Sequence, residues 1–268
     1  MMFVIAGILL RSDHRSLMLL GIIVLGLAMA HGVELQHQAL HATGFRSRIA
    51  NELWGIVLGL PMLVSYYEYR INHLKHHSLL GTPENKEHFD YGSGCDLIDL
   101  LRRYLLVEHY RNFVVNLARV CTRRDVTGFT LKQQPKVRRF YLIALVFIST
   151  LLACSITDYS ATPALDWVAA LLLVASPVHA LIELPEHYAC DQSSTDPFRN
   201  TRTVTSNAFM TWFTNSNNLH VEHHLRPELP LQELPNLHRE ICDRIQFKNK
   251  GYADFVCEAY LAQSARYD

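Results

Sequence analysis

The chain has 268 residues, of which 49% are hydrophobic and 19% charged, with a mean hydropathy of +0.05. That is too apolar for an ordinary soluble domain and too polar for a transporter that is nearly all membrane, so a membrane protein with a sizeable water-facing part is expected. The formal net charge of zero and the lack of any nucleic-acid motif argue against a polyelectrolyte partner, and six cysteines scattered without a CxxC (Cys95, Cys121, Cys154, Cys190, Cys242, Cys257) argue against a disulfide framework and suggest a reducing compartment.

In chain order, Met2 to Leu10 is apolar but too short to span as a helix; it reads as interfacial or as the end of a longer first helix. Residues 16–31 form the first expected span. Its far end carries Glu34 and the pair His37-Gln-Ala-Leu-His41, whose members share one helical face. Residues 49–67 are long enough to cross but are interrupted by Asn51, Glu52, Gly55, Gly59 and Pro61. A crossing there would put His41 and His73 on opposite sides, so an in-plane or re-entrant segment is expected. Gly55, Gly59 and Pro61, with Val174 and Val178 of the last span, are candidates to wall an apolar substrate channel.

Next comes His73-Leu-Lys-His76-His77, within the polar region 68–139. Residues 141–157, entered through Lys136-Val137-Arg138-Arg139, and residues 164–184, with Trp167 placed as an interfacial anchor, form two further spans. Thr157 to Ala164 reads as a tight turn between them. His179 and Glu183, one helical turn apart within the last span, are costly in lipid and should face the interior, bonded to each other or lining a channel. The polar region 185–268 holds Glu186, His187 and His220-Val-Glu222-His223-His224. Pro185 ends or bends the helix before His187, so position alone leaves that histidine open as a ligand.

Region 46–139 carries 15 Lys and Arg and the tail after Leu184 carries eight, whereas the turn near 160 carries none. The positive-inside tendency therefore places the histidine clusters together on the cytoplasmic side; Arg11 and Arg15 are the discordant residues. One HxxHH arises by chance in roughly one chain of this composition in twenty, so two of them plus an HxxxH point to a multi-histidine metal centre, with too many imidazoles for one ion. In each HxxHH the first histidine pairs with one three or four later and the adjacent one points elsewhere, which suits two metals. His14, His88, His109 and His238 read as ordinary satisfied or surface histidines, and His31 lies off the face of His37.

The series HxxxH, HxxHH, HxxHH, with Asn217-Asn218-Leu219-His220-Val221-Glu222-His223-His224-Leu225-Arg226-Pro227 and Thr201-Arg202-Thr203-Val204, resembles the integral-membrane fatty acid desaturase and hydroxylase superfamily over roughly residues 30–238. The departures are a compact length and a short N-terminus, with room for one span before the first box. The resemblance implies one all-α membrane domain over 1–268, built of helical hairpins under a cytoplasmic histidine-rich cap. It implies two iron ions held by His37, His41, His73, His76, His77, His187, His220, His223 and His224, with O2 as co-substrate and an asparagine (Asn215, Asn217 or Asn218) holding a metal-bound water. An all-imidazole shell is neutral, so Glu34, Glu186 and Glu222 are expected nearby as compensating charge. The implied activity is desaturation or hydroxylation of an acyl chain or similar apolar lipid. Electrons would come from a separate donor, a ferredoxin or b-type cytochrome with its NAD(P)H reductase, because no flavin, haem or nicotinamide motif is present. Competing readings are carotenoid ketolase or hydroxylase chemistry, oxidative tailoring of a lipid-like metabolite, and a non-enzymatic membrane metal-binding protein.

Overall fold

The computed structural model describes residues 1–86, 88–89, 97–157 and 162–264. Cys95 and the middle of the expected turn, residues 158–161, lie outside them. Three helices among the described residues are long and apolar enough to cross a membrane: α2 (Arg15–Leu40), α7 (Gln134–Thr157) and the continuous stretch Pro163–Glu186, made of α8 (Pro163–Ala170), a π-turn, α9 (Ser176–Glu183) and a 3-10 turn at Leu184–Glu186. Leu19, Val146, Ile156 and Leu173 project outward from them, 62%, 67%, 69% and 72% exposed. Such an apolar exterior suits lipid and not water.

The first span is longer than hydropathy suggests. The apolar run ends near Ala30, yet α2 continues unbroken to Leu40, because Glu34, Gln36, His37 and Gln38 turn inward and are buried among other helices. The short helix α1 (Met2–Leu10) folds back on α2, with Gly21 against the Leu10 side chain.

Between the first two histidine pairs the chain breaks. Helix α3 (Arg48–Gly59), capped by Ser47, runs into a 3-10 turn at Leu60–Met62, and Leu63 takes a left-handed conformation (φ 59°). Ser65 and Glu68 then start α4 (Tyr66–Ser78): the serine hydroxyl accepts from the Glu68 amide, half of a capping box. The two arms meet at 102°. Backbone groups freed by the break need partners in an apolar setting. Gln36 bridges the two sides of the break, its amide donating to Gly55 O in α3 at 2.7 Å and to Val64 O just before α4 at 3.3 Å.

In the last span Pro177 lacks the amide that would continue the helical ladder. The preceding turn widens to a π-helix over Leu171–Ala175, and Ser176 Oγ donates to Leu171 O at 2.8 Å. Gly26 of α2 lies against this turn so closely that a Cβ there would stand 2.4 Å from Val174 Cβ. Gly55 is covered by the Tyr66 ring, and a Cβ on Gly59 would stand 2.2 Å from Gln36 Nε2. Gly55, Gly59 and Val174 thus serve close helix packing, and the channel wall expected of them is not what the structure builds. Val178 does line a cleft of about 490 Å³ with Met210 and Tyr252.

Helix α5 (Leu97–Tyr104) packs against α9, and α6 (Val107–Cys121) packs against α5 and α7. The chain after the last span forms α10 (Pro197–Asn200), α11 (Ala208–Phe213), α12 (His220–Leu225), α13 (Leu234–Ile241) and α14 (Tyr252–Ser264). It also forms a small parallel ribbon, β1 (Arg202–Val204) with β2 (Phe247–Asn249). Buried Arg202 ties this ribbon together by donating to Asn249 Oδ1 at 2.6 Å and to Tyr188 O at 3.1 Å.

The packing at Gly59 predicts that Gly59→Ala lowers stability by about 1–3 kcal/mol, the usual cost of overpacking, in thermal unfolding of the detergent-solubilised protein. Gly7→Ala should not lower it, since nothing lies within 4 Å of an added Cβ there. Equal stability of Gly59→Ala and the unsubstituted protein would contradict this packing.

Candidate metal centre

Helical periodicity sorts the histidines. His73 and His77, one turn apart on α4, face one way and His76 between them faces the other; on α12, His220 and His224 pair while His223 points away. The result is two groups of ring nitrogens. In one, His73 Nε2 lies 2.9 Å from His37, 2.8 Å from His41, 3.0 Å from His77 and 3.5 Å from His223, each through Nε2. His77 Nε2 is also 3.0 Å from His223 Nε2. In the other, His76 Nε2 lies 3.1 Å from His187 and 3.2 Å from His224, and His220 lies 3.3 Å from His187 and 3.1 Å from His224. The α4 box gives two imidazoles to the first group and one to the second, and the α12 box reverses this. His187, left open by position alone, joins the second group. His77 packs its ring on His224 at 4.2 Å and so stands where the groups meet.

The donor chemistry fits metal ions. A neutral imidazole carries one N–H and one lone pair, so the single Nε2 of His73 cannot share a proton with four neighbours. Lone pairs crowded this way need a cation. Donors bound to one transition metal at about 2.1 Å stand about 3.0–3.4 Å apart, close to the spacing seen. Nδ1 of His76 meets Asn85 Oδ1 at 2.9 Å, and Nδ1 of His187 meets the Asn200 carbonyl at 3.0 Å. These oxygens hold the proton on Nδ1 and leave Nε2 as the donor atom. Burial pushes His187 down to about 4; burial first, then neighbouring imidazoles, hold His220, His223 and His224 well below the usual range. The rings are therefore neutral at physiological pH, as ligation requires.

The expected carboxylates and asparagines fall in different places. Glu186 Oε2 lies 3.2 Å from His220 Nε2, on the side where the lone pairs converge. Asn217 Nδ2 donates to Glu186 Oε1 at 3.0 Å and to Glu34 Oε2 at 3.3 Å, while its own Oδ1 is buried without a hydrogen-bond partner among the described residues. Of the three candidate asparagines, Asn217 is therefore the one at the centre. Asn218 instead donates to Val204 O and accepts from Thr214, and Asn215 donates to Gln38. Glu222 accepts from Thr203 Oγ1 at 2.6 Å and pairs with His238 Nδ1; it braces the cap behind the α12 box. A cavity of about 20 Å³ is lined from both groups by His37, His73, His76 and His220, together with Tyr69, Glu183 and Glu186. It has room for about one water-sized molecule.

His14 is exposed and His31 Nδ1 meets Phe213 O, as ordinary histidines do. His238 is a satisfied histidine as expected, holding Glu222, whereas His88, stacked on Tyr69 at 4.7 Å, also borders the small cavity. Neither has a spacing signal, since each acts through a residue distant in sequence. His109, half-buried, contacts Met62 O at 3.3 Å.

A family profile described as fatty acid desaturase matches residues 15–255. The chain belongs to the fatty acid desaturase family. Membership supports an oxidoreductase of the desaturase or hydroxylase type and implies a lipid substrate and a membrane setting. No curated protein matches the chain. The resemblance expected from the boxes alone is thus established, and the histidine groups that could hold metal fit the family's di-iron site.

The two-group arrangement predicts about two tightly bound transition metals per chain by elemental analysis. His73→Ala and His220→Ala should each lose about one, and His14→Ala none. Loss of both metals from His14→Ala, or of neither from the other two, would contradict the assignment.

Proposed function

We propose that the protein is a membrane-bound di-iron oxidoreductase that uses O2 to desaturate or hydroxylate an acyl chain or a similar apolar lipid. The observation that carries this reading is the pair of adjoining Nε2 groups, five imidazoles (His37, His41, His73, His77, His223) beside four (His76, His187, His220, His224). When bound there, two irons supply the capacity to activate O2 and to abstract hydrogen from an unactivated C–H bond. The chain's own residues do the rest. The nine imidazoles hold the metals, Asn85 and Asn200 fix ring tautomers, and Glu186 brings negative charge to a shell that has none. The buried rings and the enclosing helices α2, α4 and α9 keep bulk water from the cavity.

The α3–α4 break supports a re-entrant arm, since it returns the chain from His41 to His73 without a crossing. The three long helices then form a multi-pass anchor, with residues 68–139 and 185–268 on the cytoplasmic side. Beside His41 a cleft of about 670 Å³ is lined by Arg48, Arg70, Lys132 and Lys136, with Tyr66 and Tyr67. Its positive charge suits an acidic electron donor, a ferredoxin or a b-type cytochrome.

Expression in a host, with lipids and apolar metabolites analysed by mass spectrometry, tests the reading. Products two hydrogens lighter or one oxygen heavier than a host lipid should appear with the protein and disappear with His73→Ala. An unchanged lipid profile from an iron-loaded protein supplied with donor and O2 would contradict it.

A further inference from the structure

At the boundary between the spans and the cap, an apolar helix faces outward over an apolar cleft. Helix α11 reads Ala208-Phe209-Met210-Thr211-Trp212-Phe213 and is started by Asn207, whose side chain accepts from the Met210 amide at 2.9 Å. Phe209 and Trp212 project from it, 62% and 55% exposed. His31 ties the helix to the first span. Its Nδ1 donates to Phe213 O at 2.6 Å, and its ring packs on Trp212 with centroids 4.9 Å apart. His31 is the first polar residue after the apolar run of α2 ends at Ala30, so α11 lies at the depth where hydrocarbon gives way to headgroups. Aromatic side chains exposed at that depth act as interfacial anchors.

Between α11 and the last span lies the cleft of about 490 Å³. The end of α9 has two sides there. His179 and Glu183 turn inward, Nε2 of one 3.3 Å from Oε1 of the other. Val178, Leu181 and Ile182, spaced at i, i+3 and i+4, turn to the cleft. Met210 of α11 forms the opposite wall, and Lys250 stands exposed at the rim. An apolar trough with a cation at its rim matches a lipid, with the chain inside and the phosphate outside.

Tyr252 is the inner wall of this cleft. It is 8% exposed, and its phenol oxygen has no hydrogen-bond partner among the described residues. Glu34 and Glu186 lie within its electrostatic reach, and Glu186 lines the small cavity between the imidazole groups. The ring thus stands between the cleft and the centre. Since no hydrogen bond holds its hydroxyl, it can turn aside without breaking one.

We propose that this cleft is the entrance through which the acyl chain of a bilayer lipid reaches the centre, with α11 seated in the headgroup layer beside it. The proposal rests on the oxidoreductase reading and narrows its substrate. That substrate is a lipid esterified in the membrane, its phosphate at Lys250 and its chain running past Val178 and Met210 to Tyr252, and not a soluble acyl thioester. The cationic cleft beside His41 stays free for the electron donor.

Two measurements test this. The first needs no turnover. Zinc-loaded protein is placed in phosphatidylcholine–phosphatidylglycerol nanodiscs that contain a phosphatidylcholine with a photoreactive diazirine midway along one chain. Adducts formed on irradiation are mapped by peptide mass spectrometry. A chain midpoint ordinarily lies deep in its leaflet, so an adduct at boundary depth reports a chain drawn into the cleft. Adducts are expected on α9 around Val178 and Ile182. Met210→Trp, which fills the cleft, should cut them on the order of tenfold, the scale of overpacking, and leave adducts at Val146 on the outer face of α7 unchanged. Val178→Trp, from the facing wall, should do the same to adducts on Met210, and serves if Met210→Trp does not fold. Adducts confined to outer faces in the unsubstituted protein, or cleft adducts that neither substitution reduces, overturn the proposal.

The second is turnover of the iron-loaded protein with reduced donor and O2. A ¹³C label is carried either by the acyl chains of the bilayer phospholipid or by an acyl-coenzyme A in the aqueous phase. Labelled product is expected from the phospholipid. Met210→Trp should keep its iron and melting temperature while lowering kcat/KM on the order of tenfold. Product from the thioester alone overturns the proposal. No product from either, with the α9 adduct intact, marks failure of the oxidoreductase reading; it removes the substrate assignment and leaves a lipid-binding cleft.

Discussion

Nine imidazole lone pairs converge within a helix bundle that leaves them little but one another to face. Neutral rings at this spacing repel unless a cation sits among them, so the chain has to hold them in place by other means. The helices do this with one-turn pairs: His37 with His41, His73 with His77, and His220 with His224. The α3–α4 break and the π-turn before Pro177 then bring separate helices within reach. Each irregularity has its own support, Gln36 satisfying the carbonyls at the first and Ser176 at the second.

Charge follows from the same constraint. Two divalent ions held in an all-imidazole shell would carry four positive charges, which a low-dielectric interior could not leave unanswered. The nearest answers are Glu186, facing His220, and the Glu34–His179–Glu183 group behind the cavity. Asn217 links them by donating to both Glu186 and Glu34. Carboxylates that look like isolated polar residues in the sequence therefore form one band along one side of the centre.

The histidine boxes were legible in the sequence because their spacing equals the helical turn, and the long apolar runs marked the three long helices. Hydropathy falls beyond Ala30 because the polar residues of α2 face inward, and only the helical spacing of His37 and His41 marks its continuation there. Other features left no local trace. The exchange of imidazoles between the boxes needs the relative rotation of α4 and α12, which no periodicity encodes. Asn85, Asn200, His88 and His238 act through partners far along the chain. Glu222 sat inside a box and looked like compensating charge, but its hydrogen bonds go to Thr203 and His238. Strands of three residues are too short to show alternation, so the β1–β2 ribbon could not be foreseen. Gly59 and Val174 suggested a channel because small or slender residues suit close backbone approach as well as open space, and the structure uses them for approach.

The central claim is that two unlike imidazole groups hold two irons side by side. Mössbauer spectroscopy of the ⁵⁷Fe-loaded, reduced protein tests it most directly. Five donors in one group, and four with a carboxylate close by in the other, predict two ferrous quadrupole doublets of equal area and different splitting. A single doublet at one iron per chain, or bound iron only in an aggregated ferric form, would contradict the account.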